Sequence, residues 1–187
     1  SPMSVLVVAE QSNGTVKKAS MAALTFARQV ASRIGTGYSI VVLGKGAQAA
    51  AGSLTGHGAE KLYVVEDGSL DNYLAMPYAA AVALVAQRAE SRWVVMTGTT
   101  TGKDLLPRVA VRLDAGLASD VIALAGEGAD IKMTRPMWAG NVLAEVQVLT
   151  DVKCVTVRGS DWEKAEATGG DTPIASVDDA AQAASAA

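Results

Sequence analysis

Two glycine-rich stretches carry the residue types that hold phosphate in other proteins. Residues 97–108 read TGTTTGKDLLPR, with Gly98, Gly102 and Lys103 ahead of a helical pattern. A loop of the G-x-x-x-x-G-K-[ST] type uses glycines so that backbone N–H groups can wrap the phosphates, and a hydroxyl to hold magnesium. Here only Thr99, Thr100 and Thr101 separate the glycines, one residue short of the pattern, and Asp104 stands where the hydroxyl belongs. Its negative charge would face both phosphate and metal. What survives is capping: Thr99 to Thr101 follow a strand end and precede a helix, read as Leu105 to Leu113. A helix N-terminus at the carboxyl end of a parallel strand is nevertheless the usual ligand position in open α/β sheets.

The second stretch, Gly44-Lys45-Gly46-Ala47-Gln48-Ala49, matches G-x-G-x-x-A after a strand, with Glu66 at the end of the next strand, the spacing of about 20 residues that dinucleotide sites use. It follows the second strand of its unit, where the fingerprint belongs on the first. Gly44, Gly46, Thr99, Gly102 and Lys103 are therefore the nucleotide-loop candidates, and a module binding AMP or ADP is the alternative reading of the chain.

Other chemistry is sparse. His57 is the only histidine and has no ligand or triad partner nearby in sequence. Cys154 is the only cysteine and lies in an apolar run, the setting of an inert buried thiol. No carboxylate pair, metal-ligand cluster or nucleophile motif stands out, so neither a catalytic residue nor a metal ligand is expected.

The elements that would position these residues alternate between strand and helix. Val5 to Ala9 (VLVVA) is a continuous apolar run, as a strand buried on both faces requires. Residues 17–34 carry an Ala/Val stripe of helical period around Phe26. Tyr38 to Leu43, Leu62 to Val65 and Trp93 to Met96 read as further strands. A short Ala-rich helix after Gly44 and a helix over Pro77 to Glu90 separate them. Repeated β–α–β units predict an α/β fold of three layers, a parallel sheet with helices on both faces. After residue 119 the rhythm changes. Val121 to Ala125, Ile131 to Trp138, Val142 to Leu149 and Cys154 to Val157 follow with no helix between them. They predict an antiparallel edge on the sheet from the 119–157 strands. Met133, Met137 and Trp138 lie there, and an exposed Met/Trp patch would mark a partner surface. From residue 161 to 187 the chain turns to Ala, Gly, Asp, Thr and Ser, which reads as a linker or tail with no core of its own beyond a weak Ala-rich helix. The domain proper is thus expected over 4–160, and a tail that ends the chain implies a longer parent protein. Ser1 and Pro2 ahead of Met3 read as a cloning remnant.

Composition limits the partners. The 187-residue chain is half hydrophobic but only 4% aromatic, so Ala, Val and Leu must build its core. A formal charge of −3 gives no reason to expect nucleic acid or an anionic membrane. No apolar run approaches membrane-spanning length. A single cysteine fits the bacterial cytoplasm or the mitochondrial matrix.

Several stretches together resemble a known family. SVLVVAEQSNG, TTTGKDLLPRVAVRLDAGLASDVIAL, and TRPMWAGNVLAEVQV followed by KCVTVR look like the N-terminal domain of the electron transfer flavoprotein α subunit, in order from Ser4 to Gly170. The resemblance implies a Rossmann-like sheet of the adenine nucleotide α-hydrolase-like type. It also implies an αβ heterodimer that takes electrons from acyl-CoA and related dehydrogenases and passes them to a quinone oxidoreductase or similar acceptor. In that family FAD is held mainly by a C-terminal domain that this sequence lacks, and AMP sits in the β subunit. No position here matches the FAD-binding part, so no FAD ligand is assigned. Partner-interface candidates are Lys103, Asp104 and Arg108 in the polar loop, and Arg135, Trp138 and Asn141 in the strand-rich segment, where Pro136 and Gly140 shape a turn.

Overall fold

The computed structural model describes residues 4–137 and 141–187. In chain order the elements are β1 (Ser4–Ala9), β2 (Gln11–Ser12), β3 (Thr15–Val16), α1 (Ser20–Ile34), β4 (Tyr38–Leu43), α2 (Ala47–Gly52), β5 (Leu62–Val65), α3 (Ala75–Arg88) and β6 (Ser91–Thr97). There follow α4 (Thr100–Arg112), β7 (Gly116–Val121), β8 (Ala123–Ala125), β9 (Lys132–Met137), β10 (Val142–Val146), β11 (Lys153–Val157), β12 (Ile174–Ser176) and α5 (Asp178–Ala186).

Seven strands form one sheet in the order β12-β5-β4-β1-β6-β11-β7. Every pairing within it is parallel. β1 and β4 are buried along their whole length, as their near-continuous apolar runs allow. α1 and α2 cover one face around Phe26, and α3, α4 and α5 cover the other around Leu105 and Leu106. This is the expected three-layer Rossmann-like arrangement. The strand order reverses between β1 and β6, because β1, β4 and β5 wind outward one way while α3 carries the chain back across. Open α/β sheets place ligands at such a reversal, beyond the carboxyl ends of the strands.

The late strands depart from the expected edge. β8, β9 and β10 are antiparallel, but they form a separate three-stranded sheet in the order β10-β9-β8. The chain leaves the main sheet after β7 and returns with β11, which inserts between β6 and β7 and runs parallel to both. Burial explains the difference. Cys154 to Val157 are all buried, so β11 needs cover on both faces; in β10, Val142 and Leu143 are exposed. Ile131 and Met133 anchor the small sheet by burying themselves in the main core.

The segment expected as a tail is built into the domain. Trp162 packs edge-on against Phe26 of α1, and its Nε1–H donates to Val121 O. The chain then crosses α1, held by Thr25 Oγ1 donating to Glu163 O and by Arg28 donating to Glu166 O. Thr172 Oγ1 donates to Ala59 O, and β12 pairs with β5 at the far edge of the sheet. α5 lies on α3 with Ala180 and Ala184 fully buried. Apart from Trp162, small side chains and side-chain hydrogen bonds to backbone carbonyls do this work, so the sequence shows no apolar run to announce it.

Candidate functional site

The strand reversal gathers β1, β4 and β6 at one end, and the loops that follow them meet there. α4 starts at Thr100, five residues ahead of the expected Leu105. Gly102 and Lys103 are therefore helical, and no open phosphate loop exists at this point. Thr99 is the N-cap: its Oγ1 accepts from the Gly102 N–H at 3.1 Å and donates to Glu10 Oε2 at 2.8 Å. The helix N-terminus that would attract phosphate thus already faces the protein's own carboxylate. Gly102 is small for a packing reason. A Cβ there would stand 2.0 Å from Thr97 O, so the first turn of α4 rests on the end of β6.

The other glycine loop is occupied in the same way. Gln11 Nε2 donates to Leu43 O and Lys45 O, and Gln11 Oε1 accepts from Gly14 N. Gly46 has φ +90°, and a Cβ on it would meet Gly14 N at 2.3 Å. Gly44 has φ +95°, and a Cβ there would press on Leu70 O and the Tyr78 hydroxyl. Both glycines are required by the turn and by the β2–β3 hairpin lying over it. At the start of α2, Gln48 N donates to Glu66 Oε1, so the acid expected on a ribose caps a helix.

Between these loops lies a small cavity of about 70 Å³, lined by Glu10, Gln11, Lys17, Tyr73, Tyr78 and Thr101 among others. Tyr73 and Tyr78 close it, their rings edge-to-face at 5.0 Å, with Tyr78 Oη donating to Leu70 O. Tyr73 Oη donates to Asp104 Oδ2 at 2.6 Å; burial and then that carboxylate push the phenol above its ordinary pKa. Asp104 also pairs with Arg108 at 3.5 Å, and Lys103 with Asp120 at 3.8 Å. All three candidate contact charges on α4 are thus engaged within the domain, on half-exposed side chains where such pairs add little stability. A ligand pocket usually offers roughly 300–1,000 Å³. The cavity at the strand ends is too small for a flavin or a nucleotide, and Glu10, Gln11 and Tyr78 around it are bonded to the protein itself.

The strand-rich candidates lie elsewhere. Arg135 Nε donates to Ser119 O, which ties β9 to β7. Asn141 is exposed in the turn before β10, and Met137, Val142 and Leu143 are exposed around it. Met133 is buried, so it belongs to the core and not to a surface patch. Trp138 and Gly140 lie outside the described residues. Cys154 is fully buried, and burial pushes its thiol up to about 12. The His57 carbonyl accepts from the Arg28 guanidinium, which also donates to Glu166 O, while the His57 Nδ1 is buried without a partner. Among the described residues no group of three or more His, Cys, Asp or Glu side chains could hold a metal, and no helix is long and apolar enough to cross a membrane.

Sequence reasoning missed Glu10, Gln11, Tyr73 and Tyr78. The first two had a signal, since they directly follow a buried strand and so must lie at its carboxyl end. The tyrosines had none, because their meeting with α4 depends on how α3 packs.

Comparison with known proteins decides the family. The electron transfer flavoprotein domain matches residues 5–182, nearly the whole chain. The chain belongs to the electron transfer flavoprotein family. Among its relatives is an electron transfer flavoprotein subunit alpha from Syntrophomonas wolfei, 32% identical over 166 residues, covering 87% of this chain and 50% of that protein. The same subunit from Bacillus subtilis is 30% identical over 87% of this chain and 49% of the relative. Protein FixB from Clostridium saccharobutylicum is 30% identical over 93% of this chain and 53% of the relative. The chain spans about half the length of the curated relatives it matches. The family domain continues through β12 and most of α5, in keeping with their place in the sheet and against α3.

Proposed function

We propose that this chain is the scaffold domain of an electron transfer flavoprotein α subunit, packing against a β subunit and supporting a separate flavin-carrying domain. The complete heterodimer would carry electrons from acyl-CoA and other dehydrogenases to a quinone oxidoreductase or similar acceptor, in the bacterial cytoplasm or the mitochondrial matrix. FAD would sit in the part of the α subunit that this chain does not span, and AMP in the β subunit. One observation carries the reading: a family match over residues 5–182 coincides with strand-end loops already filled by Glu10, Gln11, Glu66 and Tyr78. A domain of this kind offers shape and surface and leaves the redox chemistry to its neighbours. The surface offered to β is the small antiparallel sheet, with Met137, Val142 and Leu143 exposed on it and Asn141 at its turn.

The test is direct titration. FAD, AMP and ADP are each added at millimolar concentration to chain 1–187, and the melting temperature and flavin absorbance of the desalted protein are read. No shift and no retained flavin are expected. A saturating rise in melting temperature with AMP or ADP would restore the nucleotide-module reading. Stoichiometric retained flavin would overturn the scaffold assignment.

A further inference from the structure

A larger cleft lies at the opposite end of the sheet from the glycine loops. It measures about 560 Å³ and is formed by the amino-terminal ends of β6 and β11, the end of α1, and the 147–151 connection that follows β10. That volume lies within the range of small-ligand sites. Its wall is fastened in place. Gln147 Nε2 donates to Ala129 O at 2.7 Å, and Gly116 N donates to Thr150 Oγ1 at 2.8 Å. Gly116 has no room for a side chain, since a Cβ would stand 2.7 Å from Val148. Thr150 in turn accepts from the Lys153 ammonium through its carbonyl.

The lining has two characters. Trp93, Ile34 and Val148 give an apolar floor, and Arg92, Lys153 and Asp151 bring two cations against one anion. Lys153 is already committed, to Thr150 O and to the Trp93 ring, with its Nζ 5.9 Å from the ring centre. Arg92 is different. It is half-buried, and among the described residues its guanidinium has no ion pair and no hydrogen bond. It also sits at a register break, where β6 carries one residue more than β1 between the Ser4–Ser91 and Val5–Trp93 pairs. Such bulges re-aim a side chain out of the strand's alternation. A planar five-donor cation left open beside an aromatic floor matches a carboxylate or phosphate carried on an apolar body.

We propose that the cleft floored by Trp93 and flanked by Arg92 and Lys153 binds a small organic anion, a carboxylate or phosphate attached to an apolar or aromatic group. The proposal is independent of the scaffold reading, because it concerns the end of the sheet away from the glycine loops. Benzoate, phenyl phosphate and uncharged benzyl alcohol serve as probes in a titration of the full chain. The readout is the Trp93 indole N–H resonance, assigned with the Trp93→Phe variant. Benzoate or phenyl phosphate is expected to shift that resonance saturably, and the tighter of the two assigns the head group. Arg92→Gln should weaken binding about ten-fold, and Arg92→Lys, which keeps the charge, should bind more tightly than Arg92→Gln. Amide spectra of both variants check that the fold is kept. No saturable shift with either anion, equal binding by benzyl alcohol, or unchanged affinity in Arg92→Gln would overturn the proposal.

Discussion

At Gly102 the sequence motif and the packing make opposite demands, and substitution separates them. Replacing a helical glycine by alanine normally stabilises by about 0.5–1 kcal/mol. Gly52, exposed in the last turn of α2 with open space around it, should follow that rule. At Gly102 the added Cβ would lie 2.0 Å from Thr97 O, a backbone atom that cannot yield without moving β6. Gly102→Ala should therefore destabilise by about 2 kcal/mol, read from urea unfolding midpoints. Thr99→Ala, which removes both the cap and the Glu10 contact, should cost about 1 kcal/mol, with Thr99→Ser close to the parent. Cys154 gives a pH-dependent prediction. Its folded pKa stands near 12, above the ordinary 9.0, so the unfolded chain ionises first. The buried thiol's contribution is complete below pH 9 and is lost as pH rises toward 12. Thermal unfolding across that window should fall less steeply in Cys154→Val than in the parent chain.

Element by element, the first hundred residues were legible because their strands are apolar runs and their helices carry apolar stripes. β1, β4 and β6 follow directly from that patterning. The glycine loops were legible as turns, while the side chains that fill them come from distant elements such as the β2–β3 hairpin. Three later elements are only partly legible, for physical reasons. β11 reads with its antiparallel neighbours because no helix precedes it, although its buried Cys154, Val155 and Val157 suit a strand covered on both faces. β12 escapes, and so does the docking of the Ala-rich helix α5, because alanine packing against α3 leaves no hydrophobic contrast in the sequence. The integration of α5 has a sharp test. Ala184 is fully buried and Gln182 is exposed on the same helix. Ala184→Asp should lower stability by about 3 kcal/mol by burying an unpaired charge, while Gln182→Asp should stay within about 0.5 kcal/mol of the parent. Equal effects at the two positions would mean that 178–186 is a solvated tail.

At the scale of the whole molecule, the domain has one end of its sheet closed by its own side chains and a small sheet standing off one edge. The exposed Val142 and Leu143 on that sheet are what an unaccompanied domain would avoid and a heterodimer subunit would use. In the proposed division, this chain supplies partner support and the rest of the α subunit the flavin chemistry; the chain spans about half the length of its α-subunit relatives. The most direct measurement is sedimentation velocity of chain 1–187 mixed with its cognate β subunit, before and after Leu143→Asp. The account predicts one faster-moving one-to-one species that dissociates in the variant. Independent sedimentation of the two chains at tens of micromolar would contradict it.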